Sequence, residues 1–212
     1  MKKEKISFFE IFYLFLLGCI FGWLVEGLWT LLKKGILVNH SALVIGPFNI
    51  IYGIGVLALT VALYKLKDEG IIKIFIKSFI IGTIIEYVSS LYMEYSLGFV
   101  AWNYSSKFMN INGRVCLAYS IFWGILGIIW IKIIYPKAKI LIDKIPKKTG
   151  TKLIKIISIF LIFDLAFSQA CVDRAKRYEK NLPPENKLEE VMDKYFGIDY
   201  LNNMYNYRWN KK

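Results

Sequence analysis

Five residues able to do chemistry stand where apolar side chains would be the default. Glu26, Glu86, Glu94 and Asp164 interrupt long hydrophobic runs, and Arg114 marks the edge of another. A central Asp, Lys or Arg in a bilayer costs roughly 2.5–3.5 kcal/mol, so intramembrane ions pair or face a cavity. Arg114 stays charged and presents a planar fork suited to a carboxylate or an anionic substrate group. Glu26, Glu86 and Glu94 outnumber that one arginine, so the surplus calls for protons, solvent or a cation. Asp164, halfway along its run, reads equally as a proton-relay carboxylate or as a hydrogen-bonding partner for a neighbouring helix.

Two of these acids belong to a repeat. Gly18-x-x-x-Gly22-x-x-x-Glu26 recurs sixty residues later as Ser78-x-x-x-Gly82-x-x-x-Glu86, and the second stripe continues through Ser90 to Glu94. A spacing of four puts each set on one helix face, and small residues there let another helix approach closely. Each acid is followed by a connection rich in turn residues and then by a Gly-rich apolar run. The pattern predicts two helical hairpins in tandem, related as a parallel repeat. Other reactive types carry little. His40 sits beside Asn39 and Ser41 as a solvated loop residue would, and Ser120 has no base fixed near it. One His and no Cys-x-x-Cys leave no basis for a zinc site, and Cys19, Cys116 and Cys171 lie inside apolar runs as small hydrophobes. No catalytic set, metal or cofactor is assigned, and enzyme activity is left open, with a non-enzyme the favoured reading.

The elements that must position these residues follow from composition. The chain has 212 residues, 56% of them hydrophobic, and a mean hydropathy of +0.44. That apolar share exceeds the 45–50% typical of soluble domains. Five runs approach the roughly 20 residues needed to cross a bilayer: about 8–32, 43–64, 71–93, 115–135 and 153–172. The expected fold is therefore all-α, a polytopic membrane protein of about five transmembrane helices. Residues 1–172 form the transmembrane domain, and 173–212 form a tail with one short amphipathic helix (Leu188, Val191, Met192, Tyr195) and aromatics at Tyr200, Tyr205, Tyr207 and Trp209. The net charge of +12 points to membrane orientation and not to nucleic acid, because the positive charges punctuate the apolar runs. Fifteen Lys and Arg flank the side holding Lys2, Lys3 and Lys5, against eight on the side holding Lys107 and Arg114. The excess predicts a multi-pass protein of the plasma membrane with its N-terminus cytoplasmic. Glu26, Glu86, Glu94 and Arg114 then share the outer half.

Read together, the motifs resemble the bacterial ABC-transporter permease, type IV, family. The matching stretches are Gly22-Trp23-Leu24-Val25-Glu26, Gly46-Pro47 with Ile51-Tyr52-Gly53, Gly82-x-x-x-Glu86-Tyr87 and Glu94. Trp102-x-Tyr104-Ser105, Asn112-Gly113-Arg114-Val115-Cys116-Leu117 and Gly124-x-x-Gly127 extend the match to roughly residues 18–130. Two positions depart from the family's pattern. Asn39-His40-Ser41 replaces Asn-Arg-Gly, and Asn103 replaces an acidic residue. The resemblance implies transport. No phosphate-cradling Gly-x-x-x-x-Gly-Lys-Ser/Thr loop is present, so energy would come from a separate ATPase subunit, and a pore would need partners or a homo-oligomer in the lipid bilayer. The leading expectation is a permease-like transporter subunit with a polar outer cavity lined by Glu26, Glu86, Glu94 and Arg114; Asn112, Trp102, Tyr104 and mid-span Asp164 are further substrate-binding or ion-pathway candidates. A membrane-embedded enzyme acting on lipid or envelope substrates is the alternative, with a non-transporting scaffold or sensor as a third reading. Arg114 is expected to face one of the three glutamates across the interface between the hairpins.

Overall fold

Apolar runs of this length satisfy their own backbone only as helices when water is excluded, and the computed structural model is helical through the greater part of each run. It describes residues 6–98, 100 and 102–205. The helices are α1 (Phe8–Lys34), α2 (Ile50–Leu63), α3 (Ile71–Tyr92), α4 (Leu117–Ile129), α5 (Tyr135–Asp143), α6 (Lys147–Glu179), α7 (Lys187–Tyr195) and α8 (Ile198–Tyr205). Among the described residues, three continuous helical stretches are long and apolar enough to cross a membrane: Phe8–Lys33, Leu117–Asp143 and Lys147–Glu179. The protein is thus an all-helical membrane protein. Lys2, Lys3, Lys5, Tyr207 and Trp209 lie outside the described residues.

Two compact units divide the chain, Met1–Gly18 with Ile51–Lys152 and Cys19–Ile50 with Leu153–Lys212. In the first, α3 and α4 form an antiparallel hairpin whose contact is built on small residues. A Cβ on Gly127 would lie 1.9 Å from the Ser78 hydroxyl, and one on Gly82 would lie 2.2 Å from the Trp123 ring. The first repeat makes the same kind of contact, since a Cβ on Gly18 would reach Gly53 and Val56 of α2 at 3.0 Å. The second stripe therefore meets the helix that follows it at two positions, and the first meets its own at Gly18. Trp130 donates to Thr60 Oγ1 (2.9 Å), tying α4 to α2. At the other end of the hairpin, the Tyr135 hydroxyl donates to buried Glu10 (2.7 Å) and that of Tyr13 to the Gly150 carbonyl (3.0 Å). Helical backbone also continues past the expected end of the fourth run, through one π turn (Trp130–Ile134) into α5.

In the second unit the expected helix over 43–64 starts late, at Ile50. Gly46 has φ +83°, a left-handed value, and Pro47 disfavours helical backbone in the residue before it, so helix is excluded there. Residues 39–49 instead fold as an irregular loop around Ser41. Its hydroxyl lies 2.8 Å from the carbonyls of Leu43 and Gly46 and accepts the Phe48 N–H at 3.2 Å. The Asn49 N–H then donates to the Cys19 carbonyl (3.0 Å). Cys19 is fifteen residues short of Lys34, so after leaving α1 the chain returns about 22 Å along it at 1.5 Å per residue. The helix after this loop is the shorter apolar one, Ile50–Leu66 including a terminal 3₁₀ turn.

The tail also differs from the single helix expected. It forms two, α7 and α8, and folds back. Val44 of the loop, Cys171 and Ala175 of α6, Met192 of α7 and Leu201 and Met204 of α8 share one buried core. Arg174, 3% exposed, grips Asp193 with two nitrogens (2.8 and 2.6 Å) and donates to the Leu182 carbonyl at 3.0 Å.

Candidate functional site

The stripe predicted on the third run is one buried face of α3, with Ser78, Gly82, Glu86 and Ser90 all buried. Its lower half packs against α4 and its upper half turns polar. Glu86 is held by two neutral donors: the Tyr104 hydroxyl reaches one oxygen at 3.0 Å and the Trp123 indole N–H reaches the other at 3.3 Å. Among the described residues no basic side chain pairs with it. Trp123 is placed by glycine. Its ring lies where a Cβ of Gly82 would be, and 3.3 Å from one on Gly55, so only small residues leave room for the indole to reach Glu86.

One turn further along the stripe, Arg114 donates to Ser90 Oγ at 3.0 Å and forms an ion pair with Glu94. The arginine side chain is 13% exposed and the glutamate 39%. Glu94 belongs to a π-helical turn, Met93–Leu97, which closes on Gly98 in the left-handed region (φ 80°). Such turns widen a helix by one residue and recur at functional sites. Arg114 is presented by the connection before α4. Asn112 (φ 53°) and Gly113 (φ 67°) make a left-handed turn, and the Asn110 side chain accepts the Gly113 N–H at 3.1 Å. The Gly113 carbonyl accepts from Tyr104 N–H (2.7 Å), and the Arg114 carbonyl accepts from the Trp102 indole (2.8 Å). Asn112 donates to the Tyr87 hydroxyl at 2.9 Å. Trp102, Tyr104 and Asn112 therefore hold the turn that aims Arg114, and Tyr104 also touches Glu86. Burial, and next the charge of Glu86, push the Tyr104 hydroxyl well above the ordinary phenol range, so it stays a donor.

Arg114 does face one of the three glutamates, Glu94, but the contact lies inside the second hairpin. Glu26 is half-buried on α1 in the other unit, where its carbonyl accepts from Thr30 (3.0 Å). Asp164, in that same unit, is buried within α6 against the 39–49 loop. The two departures from the family's pattern are accommodated locally. Asn103 accepts both the N–H and the hydroxyl of Ser105 (2.8 and 2.6 Å), a bond that a carboxylate would make equally. Asn39 accepts from Trp23 (2.7 Å), His40 lies 3.2 Å from Thr30 Oγ1, and Ser41 supplies the hydroxyl around which the loop closes. Ser120 is bonded to Thr83 (2.7 Å), not to a base. Sequence reasoning missed Trp123 and Tyr87. A tryptophan opposite a glycine of a carboxylate-bearing stripe was the available signal.

Comparison with known proteins adds the family. A family model described as "Putative ABC-transporter type IV" matches residues 13–169, from the first turns of α1 to the second half of α6. The chain belongs to that family. The match takes in both hairpins, the Arg114 turn and Asp164, and leaves out the tail from residue 170 onward. No curated protein and no solved structure matches the chain. Membership in an ABC-transporter family also brings an ATPase subunit into consideration as a partner.

Proposed function

We propose that this protein is the membrane-embedded permease subunit of a transport system, and that the end of the α3–α4 hairpin is where it meets its substrate. The observation that carries the reading is Glu86. A carboxylate buried on a tyrosine and a tryptophan, with no cation beside it among the described residues, is an expensive arrangement for a residue that only packs. Arg114, one turn away, adds an anion-binding fork partly satisfied by Glu94. The unlike charges of Glu86 and Arg114, with Tyr104, Asn112 and Trp102 hydrogen-bonded around them, suit a polar or zwitterionic solute better than an apolar one. Glu26, at the matching register of the first repeat, is the proposed counterpart of Glu86. The N-terminus is cytoplasmic in this reading, the membrane is the plasma membrane, and a separate ATPase subunit supplies energy. A homo-oligomer is the other way to complete a pore.

The test is complementation. A deletion strain is screened for a growth defect that the intact gene corrects, and Glu86→Gln is then introduced. The expected variant reaches the membrane at normal abundance, melts in detergent within a few degrees of the parent and fails to complement. Full complementation by Glu86→Gln would remove the site from the mechanism.

A further inference from the structure

We infer that Asp164 is a proton-binding site, carrying its proton on Oδ2 in the conformation described. The residue is fully buried in the middle of α6, seventeen residues from Lys147 and fifteen from Glu179. That leaves roughly 22–26 Å of helix on either side, so a bilayer crossed by α6 holds Asp164 near mid-depth. Its two oxygens differ. Oδ1 accepts the Ile45 N–H at 3.2 Å and the Ser168 hydroxyl at 3.3 Å, and Ser168 in turn accepts the Val44 N–H at 2.9 Å. Oδ2 is buried and has no hydrogen-bond partner among the described residues. No lysine or arginine pairs with Asp164 among the described residues; the nearest cations along α6 are Lys155, nine residues away and exposed, and Arg174, ten residues away and committed to Asp193.

No cation among the described residues is paired with it to balance a negative charge. In the 39–49 loop the titratable side chain is His40, whose ring lies 3.2 Å from Thr30 Oγ1. Cys171, two turns along α6, and Tyr200 of α8 are the titratable groups within electrostatic reach, and both are neutral when protonated. On α7, Glu189 and Asp193 face Arg174 and Arg177. An anion here would be unpaired in a medium of low dielectric, a state that buried carboxyls leave by taking up a proton. The site also has a mechanical connection. The two loop amides it holds, directly and through Ser168, belong to the irregular segment that leads into the short helix α2. Non-helical backbone at membrane depth is tolerated where protein buries it or water reaches it, and broken helices of this kind carry ion sites in transporters. Gain or loss of one proton at Asp164 thereby acts on the segment that sets where α2 begins. This proton site stands apart from the Glu86 site and does not depend on it.

Infrared spectra of the full-length protein in lipid bilayers at neutral pH test the assignment. The expected result is a carboxylic-acid C=O band that shifts when aspartate is isotope-labelled and is lost in Asp164→Asn. The remaining aspartates are exposed or, for Asp193, ion-paired, so a labelled acid band belongs to Asp164 even if the variant fails to fold. Absence of an aspartic-acid band in the folded wild-type protein overturns the proposal. So does stabilisation by sodium that is specific to the wild type and accompanied by no acid band, since a metal cation would then occupy the site. Thermal unfolding supplies the second reading. A proton bound only in the folded state makes the wild type lose stability relative to Asp164→Asn as pH rises; a gain with rising pH marks a stabilised anion and contradicts the site.

Discussion

At the residue scale, the polar end of α3 separates two kinds of carboxylate. Glu94 is half-solvated and bound to an arginine, whereas Glu86 is buried and bound only by neutral donors. Their substitutions should differ accordingly. Arg114→Ala removes a charge-assisted contact to Glu94 and the bond to Ser90, and should cost about 1–3 kcal/mol, read as a drop in melting temperature in detergent. Full buried-pair penalties do not apply, because the exposed side of Glu94 can be hydrated. Tyr104→Phe deletes one neutral bond to Glu86 and should cost on the order of 1 kcal/mol. Because burial and Glu86 raise the Tyr104 phenol, that cost should be the same at neutral and moderately alkaline pH. A Tyr104→Phe penalty that vanishes as pH rises would mean the phenol ionises and the donor assignment is wrong.

At the element scale, the α3–α4 hairpin depends on interlocking small residues. A methyl added at Gly127 would sit 1.9 Å from Ser78 Oγ and 2.3 Å from its Cβ, closer than side-chain rotation can relieve. Gly127→Ala should destabilise by about 1–3 kcal/mol through overpacking. Ser78→Gly in the same chain removes the opposing atoms, so the double variant should recover part of the loss, the coupling expected of residues in contact. Purely additive melting shifts would show that the helices do not meet at these two positions. The tail helices are held differently, by an ion network. Asp193→Ala removes the bidentate partner of Arg174, 3% exposed, and leaves it Glu189 at 3.7 Å, which should cost about 1–3 kcal/mol. Limited proteolysis should then cut within residues 182–198 of the variant before those of the parent. Equal cleavage rates would reduce the network to a surface decoration.

At the scale of the whole molecule, the testable quantity is sidedness. The Lys and Arg distribution predicts that the connection around Lys107 lies outside and that around Asp68 inside. In a background without Cys19, Cys116 and Cys171, a cysteine at Lys107 should react with an impermeant thiol reagent on intact cells, and one at Asp68 should not. The reverse order would invert the orientation. Within one unit, Tyr200 of α8 donates to the Val44 carbonyl at 2.8 Å, which sets the tail beside the first connection. Cysteines at Leu37 and Lys187 should therefore label from the same face, whichever face that is.

Much of this was legible without coordinates, and the reason is periodicity. Runs of about twenty apolar residues specify helices because the chain must satisfy its own backbone out of water. The four-residue spacing from Ser78 to Glu94 specifies a face because helix geometry repeats locally. The charges inside those runs marked Glu86, Glu94, Arg114 and Asp164 before any fold was known, and the turn residues Asn112-Gly113 marked the connection that presents the arginine. Partnership was not legible. Which glutamate Arg114 grips depends on a π turn that re-aims Glu94, and nothing in the composition of Met93–Leu97 announces it. Trp123 reaches Glu86 only because Gly82 lies opposite, a fact about two helices and not about either one. The span expected over 43–64 begins with a loop, since one left-handed glycine before a proline outweighs the apolar character of its neighbours. Arg174 finds its acids in a tail that reads, residue by residue, as one short amphipathic helix followed by aromatics. Local pattern determines which element forms and which face it buries. What that face touches is decided by contacts between residues far apart in the chain, and only the tertiary structure supplies them.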